Sequence, residues 1–246
     1  MYIPHIDNMV GVEIDKADII ASIAVYFLVA VILGLCLYSR RYWPKIDSRK
    51  IVHVGIGNFV FIWWLFKHMW VMLLFFTIPF TILLFLAMFK GNPISESFLG
   101  KLSREGHVVG LFLYVVSINV LVVTCFNEHW IAASIAIVAM TYGDGFGSIV
   151  GKRFGRHKIM HGKSLEGSVG VFIATVVVST AVFVFFDFIT DLGFGYVYGV
   201  KTVVPWFVCI LLAGVVTAVV EVVCRGDYDN FVNPLVVVGV MRLLGM

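Results

Sequence analysis

The sequence predicts an all-α, polytopic integral membrane protein, a bundle of seven or eight transmembrane helices forming a single domain over residues 1–246. Three observations carry that fold class. Of 246 residues, 61% are hydrophobic and only 13% are charged, whereas a soluble domain carries about 25% charged residues. The apolar residues lie in long runs, several close to the roughly 20 residues needed to cross about 30 Å of hydrocarbon. The basic residues collect in every second loop between those runs, and no linker, low-complexity tract or fixed-period repeat divides the chain.

Taken in order, residues 1–18 are mixed and acidic (Asp7, Glu13, Asp15, Asp18). They lack the basic n-region of a signal peptide and are expected to form a short non-cytoplasmic segment. The first run, 19–38, is too long for a signal-peptide core and reads as a span. Further spans are predicted at 51–66, 69–89, 107–126, 130–150, 168–188 and 202–223. A final run, 231–246, is shorter, is interrupted by Asn233-Pro234 and contains Arg242. It fits a full span, a half-helix or an interfacial segment, hence seven or eight. Pro79 and Pro205 kink or start helices, which membrane helices tolerate. Trp63, Trp64 and Trp70 flank the Lys67-His68 turn and read as an interfacial belt. The four cysteines (Cys36, Cys125, Cys209, Cys224) are far apart and form no CxxC pair, so they are expected to be reduced and structural.

Loop charge sets the orientation. Arg40, Arg41, Lys45, Arg49 and Lys50 follow the first span; Lys90, Lys101 and Arg104 the third; Lys152, Arg153, Arg156, Lys158 and Lys163 the fifth; Arg225 the seventh. The opposite side holds only Lys16, Lys67 and Lys201. The basic loops are therefore expected in the cytoplasm, on the side where nucleotides are.

The chemistry is concentrated in residues 141–169, TYGDGFGSIVGKRFGRHKIMHGKSLEGSV. Gly143, Gly147 and Gly151 recur every four residues, a stripe that serves close helix packing, in this chain or in a homodimer. Asp144 within the stripe points to more, because an ionisable side chain in a span is costly and marks function by default. Its glycine neighbours, Gly143 and Gly145, leave room for phosphates and a cation to approach, and Mg²⁺ takes one or two carboxylates with phosphate oxygens and water. Asp144 is thus the first candidate metal ligand. The basic connection serves anionic headgroups, but Lys163, followed by Ser164 and Glu166, is more specific. Gly162-Lys163-Ser164 is not a P-loop, since His157 stands where the first glycine belongs and no strand precedes it. What remains is a lysine for phosphates, a Glu166 able to bind metal or orient Lys163, and a Ser164 N-cap opening the next span, whose amino terminus favours phosphate. Arg49, Lys50 and His53, with Asn58 a turn deeper, are candidates for the same pocket. Near the end, Glu221 lies in an apolar run and is followed by Asp227, Asp229 and Asn230. Carboxylates so close repel unless a cation sits among them, and Asp229 and Asn230 are assigned to the site.

These segments together resemble the polyprenol kinase family, which includes dolichol kinase, phytol kinase and the CTP-dependent diacylglycerol kinase of fungi. The resemblance is carried by Arg49-Lys50-Ile51-Val52-His53, by residues 143–155 (GDGFGSIVGKRFG), by Lys163-Ser164-Leu165-Glu166-Gly167-Ser168, and by Asp229-Asn230 with Pro234 and Leu235. Phytol kinase-like proteins look most similar, sharing GDG, an IVG-like stretch and a basic–aromatic–Gly pair; Gly147 stands where Ala is commoner. The resemblance implies CTP as phosphoryl donor, Mg²⁺ as cofactor and an isoprenoid or other lipid alcohol (phytol, geranylgeraniol, a polyprenol) as acceptor.

The expected reaction is phosphoryl transfer, which asks mainly for positioning and charge neutralisation. Asp144, with Asp229 or Glu166, holds the metal; Lys163, with Arg49 or Lys50, takes charge on the transferred group; His53 or Asp229 is the general base. On this reading Asp144→Asn and Lys163→Ala abolish transfer and leave the protein folded. The alternatives are a cytidylyltransferase that forms a CDP-lipid and a non-catalytic transporter or scaffold. Membrane lipids are expected partners; no nucleic acid is.

Overall fold

The structure is a computed structural model describing residues 14–43, 47–104, 109–126, 128–193 and 202–246, and the described residues are helical with no strand among them. The helices are α1 (Lys16–Tyr42), α2 (Ser48–Gly57), continued by two 3₁₀ turns to Leu65, α3 (Met69–Ala87) and the short α4 (Phe98–Arg104). They continue as α5 (Gly110–Cys125), α6 (Trp130–Phe154), α7 (Leu165–Asp191), α8 (Trp206–Val223) and α9 (Asp229–Leu243). Among the described residues, α1, α3, α6, α7 and α8 are long and apolar enough to cross a membrane, and Lys50–Leu65 and Gly110–Cys125 are shorter apolar helices. The all-α membrane bundle therefore stands. Of the residues read from sequence, Asp7, Glu13, Lys45, His107 and Lys201, and the side chains of Arg49 and Arg104, lie outside those described.

Burial shows how the bundle is layered. In α6, 67% of the spanning window is buried inside the protein, against 28–39% in the other four long helices, and every residue from Trp130 to Val138 is buried. α6 is the central post. The outer helices show the opposite pattern, with large apolar side chains such as Phe27, Val177 and Phe188 facing outward; in a membrane that face meets lipid rather than water.

Glycines set the closeness of packing on the post. A Cβ at Gly147 would sit 2.4 Å from Val171 Cγ2, and one at Gly170 would sit 2.9 Å from Val150, so α6 and α7 touch through the predicted glycine stripe. That stripe is therefore occupied within the chain by α7, and a homodimer would have to use another face. The sequence reading of Trp63 is also corrected. It is fully buried, donates to Ser134 Oγ at 3.1 Å and packs against Phe59 and Trp130, so it belongs to the core and not to an interfacial belt.

At the amino-terminal end of α1, Asp15 caps the helix by accepting from the Ala17 N–H, as the preference for Asp at that position predicts. Asp18, fully buried, accepts from the backbone N–H groups of Lys67 (2.8 Å) and His68 (3.1 Å) and lies 2.7 Å from His68 Nδ1. It pins α1 to the turn before α3. No disulfide forms among the described residues, as expected of scattered cysteines.

Candidate active site

The site begins with one face of α2. Lys50, His53, Val54 and Gly57 follow the three- and four-residue spacing that puts side chains on one side of a helix. That side lies on α6 because two positions lack a side chain: a Cβ at Gly57 would sit 2.6 Å from Thr141, and one at Gly145 would sit 2.6 Å from Val54. The close approach brings Lys50 into an ion pair with Asp144, and His53 Nε2 to 3.7 Å from the same Asp144 Oδ2. His53 is buried and its ring packs against Tyr114, tilted by 49° with the centroids 4.6 Å apart. Asp144 directly follows a π-helical turn, Ala139–Gly143, a widened turn of the kind often found at functional sites.

The second half of the site is built by the connection from α6 to α7. Lys158 and Ser164 form an antiparallel bridge, and the Lys163 N–H donates to Met160 O at 2.9 Å. The two residues between, His161 (φ 51°) and Gly162 (φ 77°), both lie in the left-handed region. Positive φ at both central positions is the signature of a tight type I′ turn, which glycine tolerates at its second position. The turn delivers Lys163 to the end of the bundle, where its ammonium pairs with Glu221 at the end of α8 and lies 3.3 Å from Asp229 Oδ2 at the start of α9. Burial opposes the charge on Lys163, but Glu221 and Asp229 outweigh it and hold the ammonium above the ordinary lysine range. Ser164 Oγ accepts from the Gly167 N–H at 3.2 Å, capping α7 as its Ser-x-x-Gly pattern predicts.

These groups share one cavity of about 760 Å³, within the roughly 300–1,000 Å³ of small-molecule sites. Of the residues singled out in the sequence, Lys50, His53, Asp144, Gly147, Gly151, Lys163, Ser164, Asp229 and Asn230 line it. Lys158, His161 and Arg225 add basic groups to its wall. Glu221 and Asp227, which the sequence grouped with Asp229 as carboxylates needing a cation among them but did not assign to the site, line it as well.

Three expectations fall elsewhere. Gly143 is turned toward Thr175 and Thr217, and Gly145 toward Val54; both clear neighbouring helices rather than a ligand. Glu166 is not on the cavity wall. Its carboxylate accepts from the backbone N–H groups of Arg156 (3.1 Å) and His157 (3.3 Å) and lies 2.6 Å from His157 Nδ1, so it braces the connection and is not available to a metal beside Asp144. Among the described residues no three His, Cys, Asp or Glu side chains form a ready-made metal cage.

The donor set still suits Mg²⁺. Asp144 and Asp229 open on the same cavity, and two buried acceptors there, Glu221 Oε2 and Asn230 Oδ1, have no hydrogen-bond donor among the described residues. Acceptors with nothing to accept ask for a cation or its water shell, and Mg²⁺ typically takes only one or two carboxylates and draws its other ligands from phosphate and water.

Comparison with known proteins adds an independent line. The chain is 33% identical to a phytol kinase of Synechocystis sp. over 223 residues, 88% of both chains. It is 30% identical to a probable chloroplastic phytol kinase of Triticum aestivum over 242 residues, 93% of this chain and 76% of that one. It is also 26% identical to a chloroplastic farnesol kinase of Arabidopsis thaliana over 211 residues, 77% of this chain and 65% of that one. No family model matches the chain, and no solved structure does.

Proposed function

This chain belongs to the phytol kinase-like family, and on that premise we propose that it is a membrane-embedded kinase that moves the γ-phosphate of a nucleoside triphosphate to the hydroxyl of an isoprenoid alcohol. The observation that carries the reading is the pair of lysine–carboxylate clusters, Lys50–Asp144 and Lys163–Glu221–Asp229, that line one polar cavity in an otherwise apolar bundle. CTP as donor rests on the resemblance, and phytol or a related prenyl alcohol as acceptor rests on the relatives' names.

Each residue then has a part. Lys50 and Lys163 bind phosphate oxygens and take up charge on the transferred group. Arg225 and Lys158 draw the polyanion in from the rim. Asp144 and Asp229, with Asn230, would hold Mg²⁺, whose chemistry is to neutralise the β- and γ-phosphates. A metal–triphosphate complex carries both signs, so it offers phosphates to the lysines and a cation to the carboxylates. No buried charge is left bare by that exchange, which is what buried ion pairs cannot tolerate. The bond formed joins the alcohol oxygen to the γ-phosphorus; the bond broken is that to the β–γ bridging oxygen, and the nucleoside diphosphate leaves. His53 is the better placed base for the hydroxyl proton, because Asp229 is engaged by Lys163 while His53 is oriented by Asp144 and Tyr114.

The test is incubation of the purified protein with each γ-labelled nucleoside triphosphate and a panel of lipid alcohols. Label on the lipid supports the reading. Label released in pyrophosphate, with the nucleotide on the lipid, would make it a cytidylyltransferase, and no turnover of any nucleotide would leave a carrier or scaffold.

A further inference from the structure

The two lysine clusters of the cavity differ in their balance of charge. On one side a single carboxylate, Asp144, faces Lys50 and His53. On the other a single ammonium serves two carboxylates from different helices, donating to Glu221 Oε1 and to Asp229 Oδ2. With both carboxylates ionised, that second cluster is one positive charge short. Two further acceptors belong to the same residues and their neighbour. Glu221 Oε2 and Asn230 Oδ1 have no donor among the described residues, although Glu221 and Asn230 line the cavity and are only 7% and 8% exposed.

Buried acceptors are normally paired, and each one left over is costly. A lone ammonium cannot satisfy all of these oxygens. Carboxylate and amide oxygens are the ligands that hard divalent cations take, and a divalent ion in place of the ammonium would bring the cluster to neutrality. The position of Lys163 carries a second constraint. To reach a phosphate, its ammonium must let go of at least one carboxylate, and a buried carboxylate left bare is strongly destabilising. Its departure therefore has to be matched by the arrival of another cation at the same oxygens.

We infer that Glu221, Asp229 and Asn230 form a divalent-cation site whose place the Lys163 ammonium holds in the nucleotide-free protein, and that the cation enters only with the triphosphate that draws Lys163 away. The assignment rests on the kinase reading above and adds Glu221 to the metal-binding residues named there. Two consequences separate it from a site that is simply open. The nucleotide-free wild type refuses a free divalent cation, because Lys163 already occupies the oxygens. Removing the lysine charge opens the same site to metal alone.

The experiment titrates Mn²⁺ into chelator-treated, nucleotide-free protein and reads binding by electron paramagnetic resonance. Lys163→Met should bind Mn²⁺ at least about tenfold more tightly than the wild type, the equilibrium equivalent of one hydrogen bond to a charged group. Metal at about a hundred times its dissociation constant should raise the thermal midpoint of that variant by about 5–10 °C. Lys163→Arg keeps the cation and should bind Mn²⁺ as weakly as the wild type. Adding Glu221→Gln to Lys163→Met should abolish the tight binding. Equal binding by Lys163→Met and wild type would overturn the assignment, as would tight binding that survives Glu221→Gln. Should Lys163→Met fail to fold, the wild type decides. Fe²⁺ with ascorbate and peroxide should cleave its backbone near Glu221 and Asp229 when a β,γ-methylene nucleoside triphosphate is present, and not otherwise. Cleavage there without the nucleotide, or none there with it, would sink the idea. If the wild type phosphorylates no alcohol, the kinase reading falls, and Mn²⁺ binding by the Lys163 variants still decides the cation site.

Discussion

Lys163 is the residue whose loss tests both the fold and the chemistry. Its ammonium pairs with Glu221 and lies 3.3 Å from Asp229, and the three side chains are 27%, 9% and 10% exposed. Lys163→Met removes the cation and leaves two buried carboxylates facing each other. Breaking a fully buried pair from one side costs about 3–5 kcal/mol, and the partial exposure of Lys163 argues for the lower end, about 3 kcal/mol. At about 2–4 °C per kcal/mol for a chain of this size, the thermal midpoint in detergent should fall by about 6–12 °C. The lysine is held above its ordinary range, so its contribution is fully present below the unfolded lysine value of about 10.4 and fades only as pH rises through the higher folded value. The two carboxylates left facing each other share a proton more readily as pH falls, so the deficit should be largest at pH 8 and shrink toward pH 6. Adding Glu221→Gln removes one of the two opposed charges and should recover a large part of the midpoint. Phosphoryl transfer should stay at least about a hundredfold down in both variants, the usual cost of losing one donor to the reacting group. A midpoint within 2 °C of wild type for Lys163→Met would refute the electrostatic account, and recovered transfer in the double variant would refute the catalytic one.

Four further outcomes follow. Asp144→Asn should reduce transfer at least about a hundredfold and weaken Mg²⁺ dependence in a titration of the metal, because it loses the carboxylate shared by Lys50 and His53. Glu166→Gln should leave the apparent Mg²⁺ affinity unchanged in the same titration, since its carboxylate braces Arg156 and His157 away from the cavity. Asp18→Ala strips two backbone donors and His68 of their acceptor; it should cost about 2–3 kcal/mol, read as a lower thermal midpoint with kcat intact. Gly147→Ala should destabilise by about 1–3 kcal/mol because its Cβ meets Val171 at 2.4 Å, and Val171→Ala in the same chain should restore the midpoint.

How far the sequence could be read depends on which kind of information each residue carries. The bundle was legible because burial in lipid imposes a composition on whole segments, and Ser164 was legible because a cap is local: its hydroxyl answers a backbone N–H three residues on. Gly143, Gly145 and Glu166 lie off the cavity wall, the glycines and the acid for different reasons. A glycine beside an acid has the same signature whether it clears a phosphate or a neighbouring helix, and only the position of Thr217 or Val54 decides between them. Glu166 points to His157 because the connection folds back on itself through the left-handed pair His161 and Gly162, a reversal that no helical periodicity announces. Glu221 was hidden differently, since nothing in an apolar run names its partner. The turn through Gly226 (φ 64°) leads the chain from α8 into α9, so that both carboxylates fall within reach of Lys163. The arrangement that results also explains how one end of an apolar bundle tolerates so many ionisable groups. Lys50 and Lys163 are each matched to carboxylates from other helices, so their desolvation is offset pair by pair. It follows that the charges at this site cannot be changed singly without a cost to the fold, and that activity lost in single variants must be judged against double variants that restore the charge balance.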